Sequence, residues 1–450
     1  MTFEEWPAQS GVTASEMAAR FKSSLRRGSG RAALLLEADP TNEELQSMLL
    51  SACKTNLTYD PQCEEERAPY LYRLITLTRR SDFFWTELSR CLDNFDQSST
   101  ENIAQIYGVL CLLASGQTDH DHHSLQEFLA REAIRKAEFE HVGHPCGEHL
   151  IRLDGLAAFL ELIHLYHAEL LDNFEAQSGW AYRTWVEALS VRDGVQSAAA
   201  ALERARSSSP ELDLLISLDV DTALVDRTLV KQPNDAVDYA AAKVGLDPKK
   251  GFSLFWIKSA SADDLLAAAS DLILETDAMK IRAYLRIFTA RDFPLNPEPL
   301  FAIVKGANPR NAWQATKAIG RLHDHRIRDL AFELLDGLDT PSAIRLLRSN
   351  YQPGDFVAIE RAIREADPLD DNGWHSVGLA VLDLIEAVAI PPIESRDILL
   401  SLYENIPCSL CREEVVRKLH DSDLAPRWML KECAFDAEPE TAEISKRSSG

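Results

Sequence analysis

The feature that most constrains this chain is the apolar spacing within Asn308 to Leu338, NPRNAWQATKAIGRLHDHRIRDLAFELLDGL. Ile327, Leu330, Ala331, Leu334, Leu335 and Leu338 follow one another at helical intervals, which places them all on one side of an α-helix. Ala312, Ala315, Ile319 and Leu322 make a narrower seam of the same period just upstream. Asn308 carries the side chain of an N-cap, and Pro309 suits the first helical position, where a missing N–H costs nothing. The stretch predicts two antiparallel helices joined by a polar turn. Neither can hide its stripe on the other alone, so both need further helices beside them.

The rest of the chain supplies them. Thr13 and Glu16 have capping-box spacing ahead of a helix to about Arg26, and Thr41 with Glu44 repeats the signal before LQSMLLSAC. Periodic runs follow at about 64–79, 83–93, 99–114, 123–139 and 148–171. The last carries Leu153, Leu156, Ala157, Leu160, Ile163 and His164 on one face. Further on, Ser209-Pro210, Asp247-Pro248, Asn296-Pro297, Asn308-Pro309 and Thr340-Pro341 each pair a capping residue with a proline ahead of an apolar run. Strand signals are missing: Asn372-Gly373 and Asp336-Gly337 fall at helix edges, not between alternating segments. The expected class is all-α. Some two dozen helices take roughly 19 residues each with their loops, so a pair fits the roughly 33–47 residues of a helical repeat. Residues 1–12 read as a flexible leader, 13–205 as an N-terminal helical domain, 210–440 as repeats and 441–450 as a flexible tail. The boundary falls in the Ser-rich stretch Arg206 to Pro210.

Two segments are also self-similar. Arg321, Leu322, His323 and Asp324 match Lys418, Leu419, His420 and Asp421, and the apolar positions Ile319, Leu322 and Ile327 match Val416, Leu419 and Leu424. With FDAEPETAEI near the end, which looks like an acidic inter-repeat turn, residues 210–440 resemble the HEAT and armadillo class of helical-repeat proteins. That resemblance implies stacked antiparallel helix pairs forming an α-solenoid, a HEAT-like superhelix, with a concave surface offered to a partner.

Composition narrows the partners. Forty-seven basic against 71 acidic residues leave a net charge of −24, so a nucleic-acid surface would need a local basic patch working against the long-range field. The same balance suits a protein partner, and a basic one in particular. Eight scattered cysteines, several within apolar stripes, read as reduced thiols. The acidic N-terminus lacks an apolar signal region and no apolar run reaches a membrane span, so a cytoplasmic protein is expected.

Several constellations could carry chemistry. His141, His144, Cys146 and His149 offer four nitrogen and sulfur donors within nine residues, a donor set zinc accepts, although Pro145 and Gly147 also suit a solvated turn. Cys408 and Cys411, with His420 and Cys433, form a second such set, yet SLCREEVVRKL reads as continuous helix and lacks a second tight pair. Asp219, Asp221 and Asp226 resemble the nucleophile motif of haloacid-dehalogenase-type phosphohydrolases, but Thr222 stands where glycine is usual, and Asp221 could simply cap a helix. His-Asp pairs at His120, His323 and His420 resemble the all-helical HD phosphohydrolases, whose upstream histidine has no counterpart between His167 and His323. No cofactor is expected.

One electrostatic feature remains. Arg310, Lys317, Arg321, Arg326, Arg328, Arg345 and Arg348 gather in an otherwise acidic chain, with His323 and His325 among them. Pointed into a groove they would hold phosphate or an acidic peptide; paired with Asp324, Asp329 and Glu333 they would be a solvated face. Arg310, Arg321, His323, Arg326 and Arg328 are the candidate partner-binding residues. The expected role is a non-enzymatic binding or scaffold protein. A nucleic-acid-binding protein resembling the HEAT-like DNA glycosylases is the alternative, and a metal-dependent hydrolase using the His141–His149 cluster is the second.

Overall fold

The computed structural model describes residues 13–93, 100–116, 125, 127, 143–172, 179–218, 238–337, 339–366, 369–388 and 390–447. The leader over 1–12, nearly all of the run over 123–139 and the motif at 219–226 lie outside them. Among the described residues every regular element is a helix, and the one β contact is an isolated bridge between Asp247 and Gly251. No described helix is long and apolar enough to cross a membrane.

The chain divides into two units, residues 1–230, 408–410 and 426–450 in the first, 231–407 and 411–425 in the second. The first holds α1 (Ala14–Arg27), α2 (Arg31–Ala38), α3 (Glu43–Lys54), α4 (Ala68–Thr78), α5 (Ser81–Asp93), α6 (Thr100–Gly116), α7 (Gly143–Asp154), α8 (Leu156–Asp172), α9 (Gly179–Asp193), α10 (Val195–Arg206) and α11 (210–218). The second holds α12 (Tyr239–Val244), α13 (Leu254–Ser259), α14 (Ala262–Leu274), α15 (Ala278–Ala290), α16 (Glu298–Val304), α17 (Pro309–Ile319), α18 (His325–Asp336), α19 (Thr340–Leu347), α20 (Asp355–Glu365), α21 (Asp371–Ala387), α22 (Pro392–Asn405) and, from Cys411 on, α23 (Ser409–Asp421). The chain then returns to the first unit as α24 (Arg427–Cys433) and α25 (Pro439–Arg447).

Packing follows chain order. In the first unit α2, α4, α6, α7 and α9 lie side by side in that sequence, with α1, α3 and α5 along them. In the second, α15, α17, α19 and α21 form one row and α18, α20 and α22 another. Some helices pack on their neighbour in sequence, as α18 does on α19 and α16 on α17, but most of the packing is with the next helix but one, so α17 lies against α15 and α19 and not chiefly against α18.

The local signals explain the helix starts. Thr13 and Glu16 close the capping box, Glu16 N–H donating to Thr13 Oγ1 at 3.2 Å and Thr13 N–H to Glu16 Oε2 at 2.8 Å. Asn308 Oδ1 accepts from the N–H groups of Arg310 and Asn311, both at 3.2 Å. The stripe that follows is buried at Ile327, Leu330, Ala331 and Leu335 and half-buried at Leu334, each buried leucine contributing about 2 kcal/mol.

Four expectations need correction. At Thr340-Pro341 the N-cap position is Asp339, with no side-chain cap hydrogen bond, and Thr340 is the first residue of α19. The cap of α3 is Asn42, whose side chain accepts from Leu45 N–H, while Thr41 turns to Asp39. The run over 148–171 is two helices, because Gly155 takes φ +66°, and a side chain there would also strike Arg192. Asp247-Pro248 opens a bridged turn, and the following helix begins only after Ser253, which caps it.

The core of the first unit is centred on Phe21, Phe84, Tyr107, Phe159 and Trp185, all fully buried. The returning C-terminal segment is tied to its first helices. Arg31 forks onto Glu432 at 2.7 and 3.2 Å, Arg73 donates to the Asp436 carbonyl at 2.7 Å, and Ala437 N–H donates to the Gly28 carbonyl at 2.8 Å. Glu64 accepts from Ser409 N–H at 2.8 Å and from Arg67 at 3.0 Å, with both members of the ion pair buried.

Candidate functional site

The basic residues between Lys305 and Arg348 separate into two sets. One is neutralised within the second unit. Arg326 forks onto Asp324 at 3.1 and 2.6 Å and reaches Glu298 at 3.5 Å. Arg328 forks onto the buried Asp355 at 3.1 and 2.6 Å and lies 4.6 Å over the Phe332 ring. Lys305 holds Glu333 at 2.7 Å. These contacts tie neighbouring helix turns together and leave little charge for a partner.

The other set converges. Lys317 and Arg321 sit one turn apart at the end of α17, and Arg345 and Arg348 sit one turn apart at the end of α19. Because α17 packs against α19, all four line one cavity of about 240 Å³. Thr289 of α15 and Ala380, Asp383 and Leu384 of α21 complete its walls. The Lys317 ammonium lies 4.1 Å over the Trp313 ring, which keeps it along the helix face. Arg321 touches the exposed Asp292 at 3.5 Å, a pair open to solvent and correspondingly weak. Lys317, Arg345 and Arg348 form no ion pair among the described residues. Arg345 is half-buried, and burial pushes its pKa down while the charges of Asp383 and Asp339 act the other way. An arginine stays protonated regardless, so the wall carries a partly desolvated cation with room in front of it.

Of the candidate residues, the cavity takes Arg321. Arg310 stands exposed at the start of α17, His323 is exposed in the turn before α18, and Arg326 and Arg328 are committed to carboxylates. Arg345 and Arg348 matter as much as Arg321. Their signal in the sequence was the repetition of a basic pair at the same end of two alternate helices.

Asp324 illustrates the neutralised set. Its hydrogen bonds from Arg326 hold its carboxyl down at about 2, and it also caps α18. The folded pKa lies below the ordinary 3.8, so this stabilisation is complete above about pH 4 and is lost as pH falls toward 2. Because the Arg326 side chain is partly exposed, the expected contribution is about 1 kcal/mol. Unfolding of an Asp324→Asn variant should show a shallower loss of stability than the parent between pH 4 and 2; parallel curves would contradict this assignment.

In the first unit, His141 and the His144 side chain lie outside the described residues, while Cys146 and His149 are buried on α7. His149 Nε2 lies 3.7 Å from Glu66 Oε2, which Arg152 also approaches at 3.4 Å; Arg152 reaches Glu148 at 3.3 Å. Burial pushes the His149 pKa down and, reinforced by Glu66, raises the Glu148 carboxyl to about 7. A neutral imidazole beside a carboxylate could accept a proton. Cys111 lines the adjoining cavity of about 160 Å³, but burial keeps its thiol protonated and so a poor nucleophile. Cys408, Cys411 and Cys433 are buried and in no disulfide among the described residues, and the His420 ring faces Asp421 on its own helix at 3.2 Å.

No protein-family model matches the chain, and neither a curated protein nor a solved structure matches it. The cavity between α17 and α19 therefore has to be read on its own chemistry.

Proposed function

We propose that the chain is a non-enzymatic binding protein. Its second unit is a HEAT-like array of helix pairs that offers the Lys317–Arg348 groove to an acidic segment of a protein partner. The observation that carries this reading is the convergence of four cations on one cavity whose lining holds a single carboxylate, Asp383. The packing order of α15, α17, α19 and α21 supports the array, since stacked pairs align equivalent helix ends along one face. A protein partner is favoured over a duplex by charge. A chain of net charge −24 repels a polyanion along its whole length, whereas a short acidic segment carries few charges into the groove. The groove is thus a local exception in a surface that otherwise suits basic partners.

Fluorescence anisotropy with labelled hexaglutamate, hexalysine and duplex DNA tests the reading. Hexaglutamate should bind. Arg345→Ala should weaken it by roughly 10–100-fold, the range for a lost hydrogen bond to a charged group. Arg348→Ala, at an exposed position, should act in the same direction without affecting folding, and Lys258→Ala should have no effect. Tighter binding of the duplex, or equal binding by all variants, would reject the assignment.

A further inference from the structure

We propose that the groove is built for a phosphorylated side chain of the partner, a phosphomonoester, in preference to an ordinary carboxylate. This rests on the reading of the groove as a protein-binding surface and adds the group it selects.

The argument is one of charge, shape and neighbours. Lys317, Arg321, Arg345 and Arg348 bring four positive charges, against which the lining sets the single carboxylate of Asp383; Asp292 beside Arg321 and Asp339 acting on Arg345 stand outside it, and the lining stays net positive. A single carboxylate supplies one negative charge, whereas a phosphomonoester supplies about −1.5 to −2 at neutral pH. The cations also come from two directions, one pair from the end of α17 and the other from the end of α19. A tetrahedral group with three terminal oxygens can meet donors on both sides, whereas a planar carboxylate presents two oxygens in one plane. The guanidinium groups of Arg345 and Arg348 have the fork that phosphate accepts at two oxygens, and Lys317 adds a compact charge.

The remaining wall speaks to the source of the phosphate. Ile344, Ala380 and Leu384 give small aliphatic contacts beside the cations, and no aromatic side chain lines the cavity. A nucleobase would find no aromatic face in the lining, and the arginine planes it could stack on are the same groups that would meet its phosphate. A phosphorylated side chain needs only its methylene against the aliphatic surface, with the backbone running out along the open groove.

Degenerate peptide pools provide the test, identical except for a central phosphoserine, serine or glutamate, applied to the full chain. The phosphoserine pool should bind about tenfold more tightly than the glutamate pool, and serine should not bind, in keeping with charge-assisted contacts that strengthen with ligand charge. Both Arg345→Ala and Arg348→Ala should abolish the difference; the second keeps the test informative should the first fold poorly. Equal binding of glutamate and phosphoserine pools would overturn the phosphate preference while leaving the acidic-segment reading intact. Inorganic phosphate binding as tightly as the phosphoserine pool would mean a free-anion site and would also overturn it. If no pool binds and hexaglutamate also fails, both readings fall together.

Discussion

Replacing Gly30 with alanine is expected to release the C-terminal segment from the first unit. Gly30 precedes α2 with φ −67° and ψ −8°, a conformation any residue adopts, so no backbone strain is involved. The difficulty is space. A β-carbon there would stand 1.8 Å from the Glu432 carbonyl oxygen and 3.0 Å from Phe435 Cβ, and a backbone oxygen cannot swing aside as a flexible side chain can. Residues 427–447 would have to move as a body. With them would go the Arg31–Glu432 fork, the bond from Ala437 to Gly28 and the bond from Arg73 to Asp436. The cost should be about 3 kcal/mol or more, at the upper end for overpacking because several charge-assisted contacts are lost with it. Urea unfolding would record a lower midpoint, and limited proteolysis would cut in 426–447 where the parent resists. An unchanged digestion pattern would mean that the segment does not pack on α2 as described.

Glu64→Ala should cost about 3–5 kcal/mol, the range for stranding one half of a buried ion pair. Glu64 and Arg67 have side chains 0% and 2% exposed, and the carboxylate also accepts from Ser409 and, at 3.3 Å, from Tyr59 N–H. Alanine removes every acceptor at once. The Arg67 guanidinium loses the Glu64 carboxylate at a buried position, and the Ser409 N–H loses its bond. Glu64→Asp keeps the charge on a shorter stem and should recover part of the loss, which separates the electrostatic effect from simple loss of volume. Equal stability of the alanine variant and the parent in chemical denaturation would show that the pair is solvated.

Helix positions were largely legible from local chemistry. The capping box at Thr13, the Asn308-Pro309 start and the stripe through Ile327 and Leu335 each depend on residues within a turn or two of one another, so sequence spacing carries them. Misreadings came where one local signal had two outcomes. Asp247-Pro248 could open a helix or a turn, and the backbone chose a turn bridged to Gly251. Gly155 could lie within a long helix or divide it, and its left-handed φ divides it. The candidate cations were visible as a group, but not the selection among them. Arg326 and Arg328 resemble Arg345 in sequence; they differ because Asp324 and Asp355 stand within 2.6 Å of the first two.

The sequence by itself determined an all-helical chain, the ends of many helices and the existence of a basic island in an acidic protein, because these follow from periodicity and from contacts within a turn. Only the tertiary structure decided which arginines are neutralised, that the basic pairs Lys317/Arg321 and Arg345/Arg348, separated in sequence by α18, face one cavity, and that the last helices return to the first. Those outcomes depend on which helices lie side by side. That choice is made by the fit of whole apolar faces, and no single residue or spacing records it.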